Sequence, residues 1–211
     1  MNKNVQKPIL AQALGDDWQY VAPLVRAHYG LHPDSNERLE FNGIMSVYYP
    51  RPALLLLGFA RLMGGLVLLR EDNVSVKVEN SSRPGKLAMF WHRRFFVPGK
   101  KKPVIFRSRM EYAGGTEIVE YIGTSEWASM GIKMNITQVE GAVHFDSTGY
   151  VLKIGPLEVP IPGHMLLGRA SIFEKAMDDD TILMGFTIKH PLWGEIYTYK
   201  GTFSAPISSQ T

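Results

Sequence analysis

The residue whose chemistry stands out is Arg93. It sits in the run Trp91-x-Arg93-x-Phe95. In a strand, alternate side chains share a face, so period-two spacing puts this guanidinium among aromatic rings. An unpaired charge in a core is strongly unfavourable, and a buried Arg needs partners. One reading is structural: Arg93 forms a buried ion pair, or its stem lies in the core with its head in water. The other is functional: the face lines a cavity, and Arg93 meets an anionic or carbonyl group of a ligand. A slipped register would remove it from that face altogether.

Turns supply the expected partners. Gly114-Gly115 suits a two-residue hairpin. That register sets Tyr112 opposite Glu117, Met110 opposite Val119, Arg109 opposite Glu120 and Ser108 opposite Tyr121. A loop over 98–103 would set Phe95 against Phe106, Arg93 against Ser108 and Trp91 against Met110. The expected core face then carries Trp91, Phe95, Phe106, Met110, Tyr112, Val119 and Tyr121 around Arg93. The solvated face carries His92, Arg94, Arg107, Arg109, Glu111 and Glu120, with charges compensated across strands. Ser108 and Tyr121 flank Arg93 as hydrogen-bond partners, and Glu174 is the first candidate counter-charge. In the last hairpin Phe186, Ile188, Tyr197 and Tyr199 share one face, and Lys189, Thr198 and Lys200 share the other. The candidate ligand-binding set is Arg93, Ser108, Tyr121, Glu174, Tyr197 and Tyr199. No catalytic residue is assigned.

Other chemistry is weakly signalled. No GxGxxG, P-loop, HExxH, GxSxG or paired-carboxylate motif is present, and no cofactor is expected. The histidines 28, 32, 92, 144, 164 and 190 show no metal-ligand spacing, so no metal site is expected. His190 before Pro191 reads as an exposed turn residue. His164, after Pro160-Ile161-Pro162-Gly163, reads as a rim-loop residue that is inert or an acid–base group. Asp178-Asp179-Asp180 reads as a tight turn. Arg93, Arg94, Lys100, Lys101, Lys102, Arg107 and Arg109 read as a solvated basic hairpin tip, with weak contact to an anionic membrane surface or to nucleic acid as the alternatives.

These residues must be positioned by elements. Residues 16–31 read as a helix capped by Asp16 or Asp17, with Trp18, Val21, Leu24 and Val25 as its stripe and Gly30 as its end. A strand follows at 38–49 and a second helix at about 51–64. From residue 73 the period changes to two, beginning with Val74, Val76 and Val78. Strands are expected near 87–97, 103–113, 116–123, 129–139, 142–147, 150–154, 157–160, 170–176, 181–189 and 195–203. Ser147-Thr148-Gly149 is among the turn signals. The expected fold is α+β and mainly β, an antiparallel meander forming a barrel or half-barrel with N-terminal helices packed on it. It is read as one domain over 1–211, helix-rich in 1–70 and antiparallel β in 71–205.

The bulk numbers agree with this class. The chain has 211 residues, 45% hydrophobic and 20% charged, ordinary for a folded domain. It has no cysteine, which excludes disulfides and thiolate metal sites. A net charge of +3 does not argue for nucleic acid, and none is expected. The run 53–69 is nearly all apolar but is shorter than the ~20 residues of a bilayer span, and it carries Arg61. It reads as a soluble helix from Pro52 to Gly64-Gly65, packed on the sheet, with a membrane-surface helix as the alternative. The N-terminus lacks a secretory pattern, so a cytoplasmic location is expected.

Trp91-x-Arg93-x-Phe95 with Phe106-x-Ser108 resembles a bacterial family, domain of unknown function 4166. Glu120 to Gly123 (EYIG), Pro156 to Pro162, Glu174, Pro191-x-x-Gly194 and Tyr199-x-Gly201-x-Phe203 extend the resemblance over nearly the whole chain. It implies a stand-alone member and no assigned reaction. In that family the domain also follows oxidoreductase-like NAD-binding domains or a multi-pass membrane protein, which implies a redox-enzyme partner. The leading expectation is a binding module for an elongated lipophilic molecule with one anionic or carbonyl end at Arg93. The alternatives are an enzyme on a lipophilic carbonyl substrate, accessory to an oxidoreductase, with Glu174 or a tyrosine moving the proton, and a structural or interaction domain with a filled core.

Overall fold

The computed structural model describes residues 6–54, 56–58, 68–123, 125 and 127–208. Its strands are β1 (Arg38–Tyr48), β2 (Glu71–Arg83), β3 (Lys86–Phe96), β4 (Val104–Gly114), β5 (Glu117–Ile122), β6 (Ala128–Val139), β7 (Ala142–Ile154), β8 (Leu157–Ile161), β9 (Arg169–Ala176), β10 (Thr181–His190), β11 (Gly194–Ser204) and β12 (Ile207–Ser208). Strands β1 to β7 pair in sequence, β7 continues to β9, β10 and β11, and β11 returns to β1. Ten strands thus close into an antiparallel barrel. Closure leaves the ring without unpaired edges. β8 stands outside it, paired to the end of β7, and β12 pairs with the start of β1.

Alternation explains the barrel wall. Val74, Val76 and Val78 of β2, Trp91 and Phe95 of β3, and Met130, Met134 and Ile136 of β6 all join one buried cluster in the interior. The residues that alternate with this inward set face outward, as period two requires. β7 is one strand where two were expected with a turn at Ser147-Thr148-Gly149. Lys133 pairs with Gly149 and Met134 with Ser147, so Thr148 is the extra residue of a bulge. The bulge switches parity, which is why Phe145 and Tyr150 both point inward.

The N-terminal segment seals one end. The single helix expected over 16–31 is instead α1 (Ile9–Leu14), a 3-10 turn (Gly15–Tyr20) and α2 (Pro23–His28). Pro23 forces the preceding residue out of helical conformation and suits a helix start itself. Accordingly Ala22 has φ −54° and ψ 139°. Its N–H donates to Gly141 O (2.9 Å), and Gln138 Nε2 donates to Tyr20 O (3.2 Å). Ile9, Leu10, Val21, Val25 and Tyr29 join the barrel core.

At the opposite end, Tyr49, Ala53, Leu57 and Leu69 pack into the same core. The helix expected over 51–64 begins as a 3-10 turn (Arg51–Ala53) and is helical at 54 and 56–58; residues 55 and 59–64 lie outside the described residues. α3 (Gly163–Leu166) packs beside β7 and β10. Among the described residues no helix is long and apolar enough to cross a membrane.

Candidate functional site

Two register details decide which side chains meet. Between β3 and β4, Arg93 pairs with Phe106 and Trp91 with Ser108, two residues from the expected alignment. An even shift preserves the faces. Between β4 and β5, Gly114 pairs with Glu117 and Tyr112 with Ile118, so Ala113 is a bulge and the shift is odd. Every side chain of β5 therefore changes face relative to expectation. Glu120 enters the barrel. Val119 and Tyr121 leave it and form a separate outer cluster with Val151.

Arg93 is 9% exposed and makes its contacts inside. Its Nη1 donates to Ser108 Oγ (2.9 Å), and Ser108 Oγ donates to Glu120 Oε1 (2.6 Å). Nη2 lies 3.5 Å from the same carboxylate oxygen. The guanidinium carbon sits 4.5 Å from the Trp91 ring centre and 5.3 Å from that of Phe106. The counter-charge is therefore Glu120, where Glu174 was expected. Tyr121 is a correction of the same origin. It is buried on the outer face beneath Arg109 and Lys153, and its hydroxyl donates to Glu158 of β8. Burial and that carboxylate push its phenol well up.

Glu174 anchors a second buried polar cluster. Its Oε2 lies 2.7 Å from His28 Nδ1, and its Oε1 accepts from Tyr29 OH at 2.7 Å. Glu174 is 1% exposed, so one strand carboxylate fastens the end of the N-terminal segment. The His28 ring packs edge-on to Phe41 and Trp91, and its buried Nε2 has no hydrogen-bond partner among the described residues. Burial first, then the neighbouring Glu174, raises the Tyr29 phenol well above its usual range.

Tyr197 and Tyr199 of β11 are buried and face inward. Burial raises both phenols; for Tyr199, Arg93 opposes the shift while Glu174 and Glu120 add to it. Among the described residues the Tyr199 hydroxyl, which is buried, has no hydrogen-bond partner. Tyr199, Tyr197, Arg93 and Glu120 line an interior cavity of about 60 Å³ whose remaining walls are apolar, among them Phe95, Ile132 and Phe186. Of the six expected site residues, Arg93, Ser108, Tyr197 and Tyr199 gather at or beside this cavity, Glu174 lies in the His28 cluster, and Tyr121 is outside.

Glu120, His28 and Tyr29 were not among the candidates. Glu120 was hidden by the bulge. His28 and Tyr29 lay at the end of an expected helix, where only the closing Gly30 marks the chain's turn inward. His190 proves buried: one ring nitrogen lies 3.0 Å from Met165 O, and the other accepts from Leu192 N–H at 3.2 Å. In α3, His164 Nε2 lies 3.2 Å from Ser147 Oγ of β7, and burial, with Arg169 beside it, lowers its pKa.

Comparison with curated proteins finds no match. Among solved structures, the crystal structure of Rv2717c from M. tuberculosis is similar, with a TM-score of 0.46 and 7% identity over 88% of this chain and 98% of that one. The family model described as "Domain of unknown function (DUF4166)" matches residues 21–203. It spans the strands that build the cavity and both buried polar clusters, and the chain belongs to that family.

Proposed function

We propose that the barrel interior binds one small, mainly apolar molecule by a neutral polar end. The observation that carries this is the Tyr199 hydroxyl, buried without a hydrogen-bond partner among the described residues in a cavity it shares with Arg93 and Glu120. A buried hydroxyl left unpaired costs about 1–3 kcal/mol. A ligand carbonyl or hydroxyl would relieve that cost, and the apolar walls would hold the remainder. Because its pKa is raised, Tyr199 stays protonated and acts as a donor.

Size and charge refine the ligand class. About 60 Å³ is well below the roughly 300–1,000 Å³ of drug-sized sites, so the cavity favours a short molecule over an elongated one. The nearby charges are Arg93 against Glu120 and Glu174, which favours a neutral end over an anionic one. Both Glu174 oxygens are already engaged by His28 and Tyr29, which favours binding over proton transfer by that carboxylate.

Calorimetric titration with 1-propanol, acetone and acetate tests the reading, alongside native mass spectrometry of freshly purified protein. The neutral pair should bind saturably and acetate should not. Tyr199→Phe should weaken the neutral ligands by about tenfold, the worth of one buried hydrogen bond. No binding by any of them, with only the bare chain mass, would leave the filled-core reading in its place.

A further inference from the structure

The outer wall of β2–β4 carries a second concavity, of about 320 Å³, lined by polar side chains. Its cations are Arg83, Arg107 and Arg109, and its one carboxylate is Glu79. Glu79 is already shared, lying 3.6 Å from Arg38 and 3.7 Å from Arg94. Arg83 lies 4.0 Å over the Phe90 ring, and neither it nor Arg107 has a carboxylate partner among the described residues. Arg109 is the fixed member. It is 6% exposed, with Nε donating to Glu111 (2.7 Å) and Nη1 to Ser125 O (3.2 Å). Positive charge lining a concave wall focuses the field there and attracts an external anion.

His92 supplies an independent sign. Its ring lies between Arg107, directly across the strand pair, and Arg94, two residues along β3, with Glu79 facing it from β2. Its Nε2 is buried and has no hydrogen-bond partner among the described residues. Burial, then the two guanidiniums, hold its pKa below the usual value, against the smaller opposing pull of Glu79. An anion entering the groove would offset those cations and favour the imidazolium, so binding would take up a proton.

We propose that this groove binds a phosphate monoester, clamped by Arg83, Arg107 and Arg109 with His92 as a fourth donor. Planar guanidinium forks match phosphate oxygens in pairs, and a doubly charged group balances the excess positive charge better than a carboxylate. The volume reaches the lower end of the roughly 300–1,000 Å³ range for small-molecule sites. The ester has two candidate sources: a soluble metabolite, or a lipid headgroup reached along the half-exposed Phe96 and Ile105 of the same face.

The test is a titration of isotope-labelled protein with glycerol 3-phosphate at low ionic strength, followed by amide and imidazole chemical shifts. Vesicles of phosphatidylcholine with and without phosphatidic acid form the second arm. Saturable shifts on β2–β4 and a higher His92 titration point in the complex are expected. In R83A/R107A the affinity should fall at least about tenfold; both side chains are exposed, so the melting temperature should stay unchanged. Binding of free ester assigns a soluble ligand. Binding only to phosphatidic acid vesicles, lost in R83A/R107A, assigns the headgroup. No binding in either arm, or binding that ignores R83A/R107A, overturns the proposal.

Discussion

A guanidinium inside a barrel is tolerable only because of what surrounds it. Arg93 has a carboxylate 3.5 Å away, a hydroxyl bridging to that carboxylate, and two aromatic faces over its plane. Removing one partner of a buried pair leaves the other charge uncompensated. Arg93→Met or Glu120→Leu alone should therefore cost about 3–5 kcal/mol, whereas the double change Arg93→Met with Glu120→Leu should be close to neutral. Urea denaturation of the parent, the two single variants and the double variant closes the cycle and measures the coupling. A Glu120→Leu protein as stable as the parent would remove Glu120 as the counter-ion. The sequence made Arg93 legible because a charge interrupts an aromatic alternation. It did not make Glu120 legible, since the residue that decides its face is Ala113, an ordinary strand residue in an unforeseen bulge.

At the scale of elements, periodicity located the strands and missed their irregularities. The wall strands of the barrel follow from alternation and turn residues, because a half-buried strand must alternate. Bulges have no such pattern. The one in β7 resembled a turn, since Ser, Thr and Gly serve both purposes. Its effect reaches the outer cluster, where Val151 meets Val119 and Tyr121 only because Thr148 has switched the parity of β7. Gly131 of β6 lies directly under that cluster. A Cβ there would stand 2.8 Å from Val151 Cγ2 and 2.9 Å from both Tyr121 Cε1 and Val119 Cγ1. Gly131→Ala should thus destabilise by about 1–3 kcal/mol through overpacking, read as a lower urea midpoint. Pairing it with Val151→Ala should recover part of the loss, because the nearest of the three contacts is then gone. No recovery would locate the strain in the strand backbone.

At the scale of the whole molecule, closure depends on contacts that local patterns cannot reveal. β1 and β11 form the closing seam although they lie at opposite ends of the sequence, with Val47 opposite Tyr199 and Gly43 opposite Phe203. The stopper at the first end is fastened from inside, by Glu174 holding Tyr29 and His28. Three phenols tie these features together: Tyr29 on the stopper, and Tyr197 and Tyr199 beside the seam. Each is buried, and each has its pKa raised, chiefly by burial. The unfolded chain releases its tyrosine protons near pH 10. The folded barrel retains these three above that pH, so the unfolded state binds fewer protons and stability falls as pH rises. The contribution is complete below about pH 10 and declines above it by up to roughly 1.4 kcal/mol per pH unit for each phenol. Because the three sit in one closed ring and its stopper, they should ionise together with unfolding. Phenolate absorbance and far-ultraviolet circular dichroism, followed along one alkaline titration, should show a late absorbance step coincident with loss of strand signal. Replacing Tyr197 and Tyr199 by Phe should shrink that step and move it to higher pH. Smooth titration of every tyrosine while the strand signal persists would mean that water reaches the interior, and that the ring opens without unfolding.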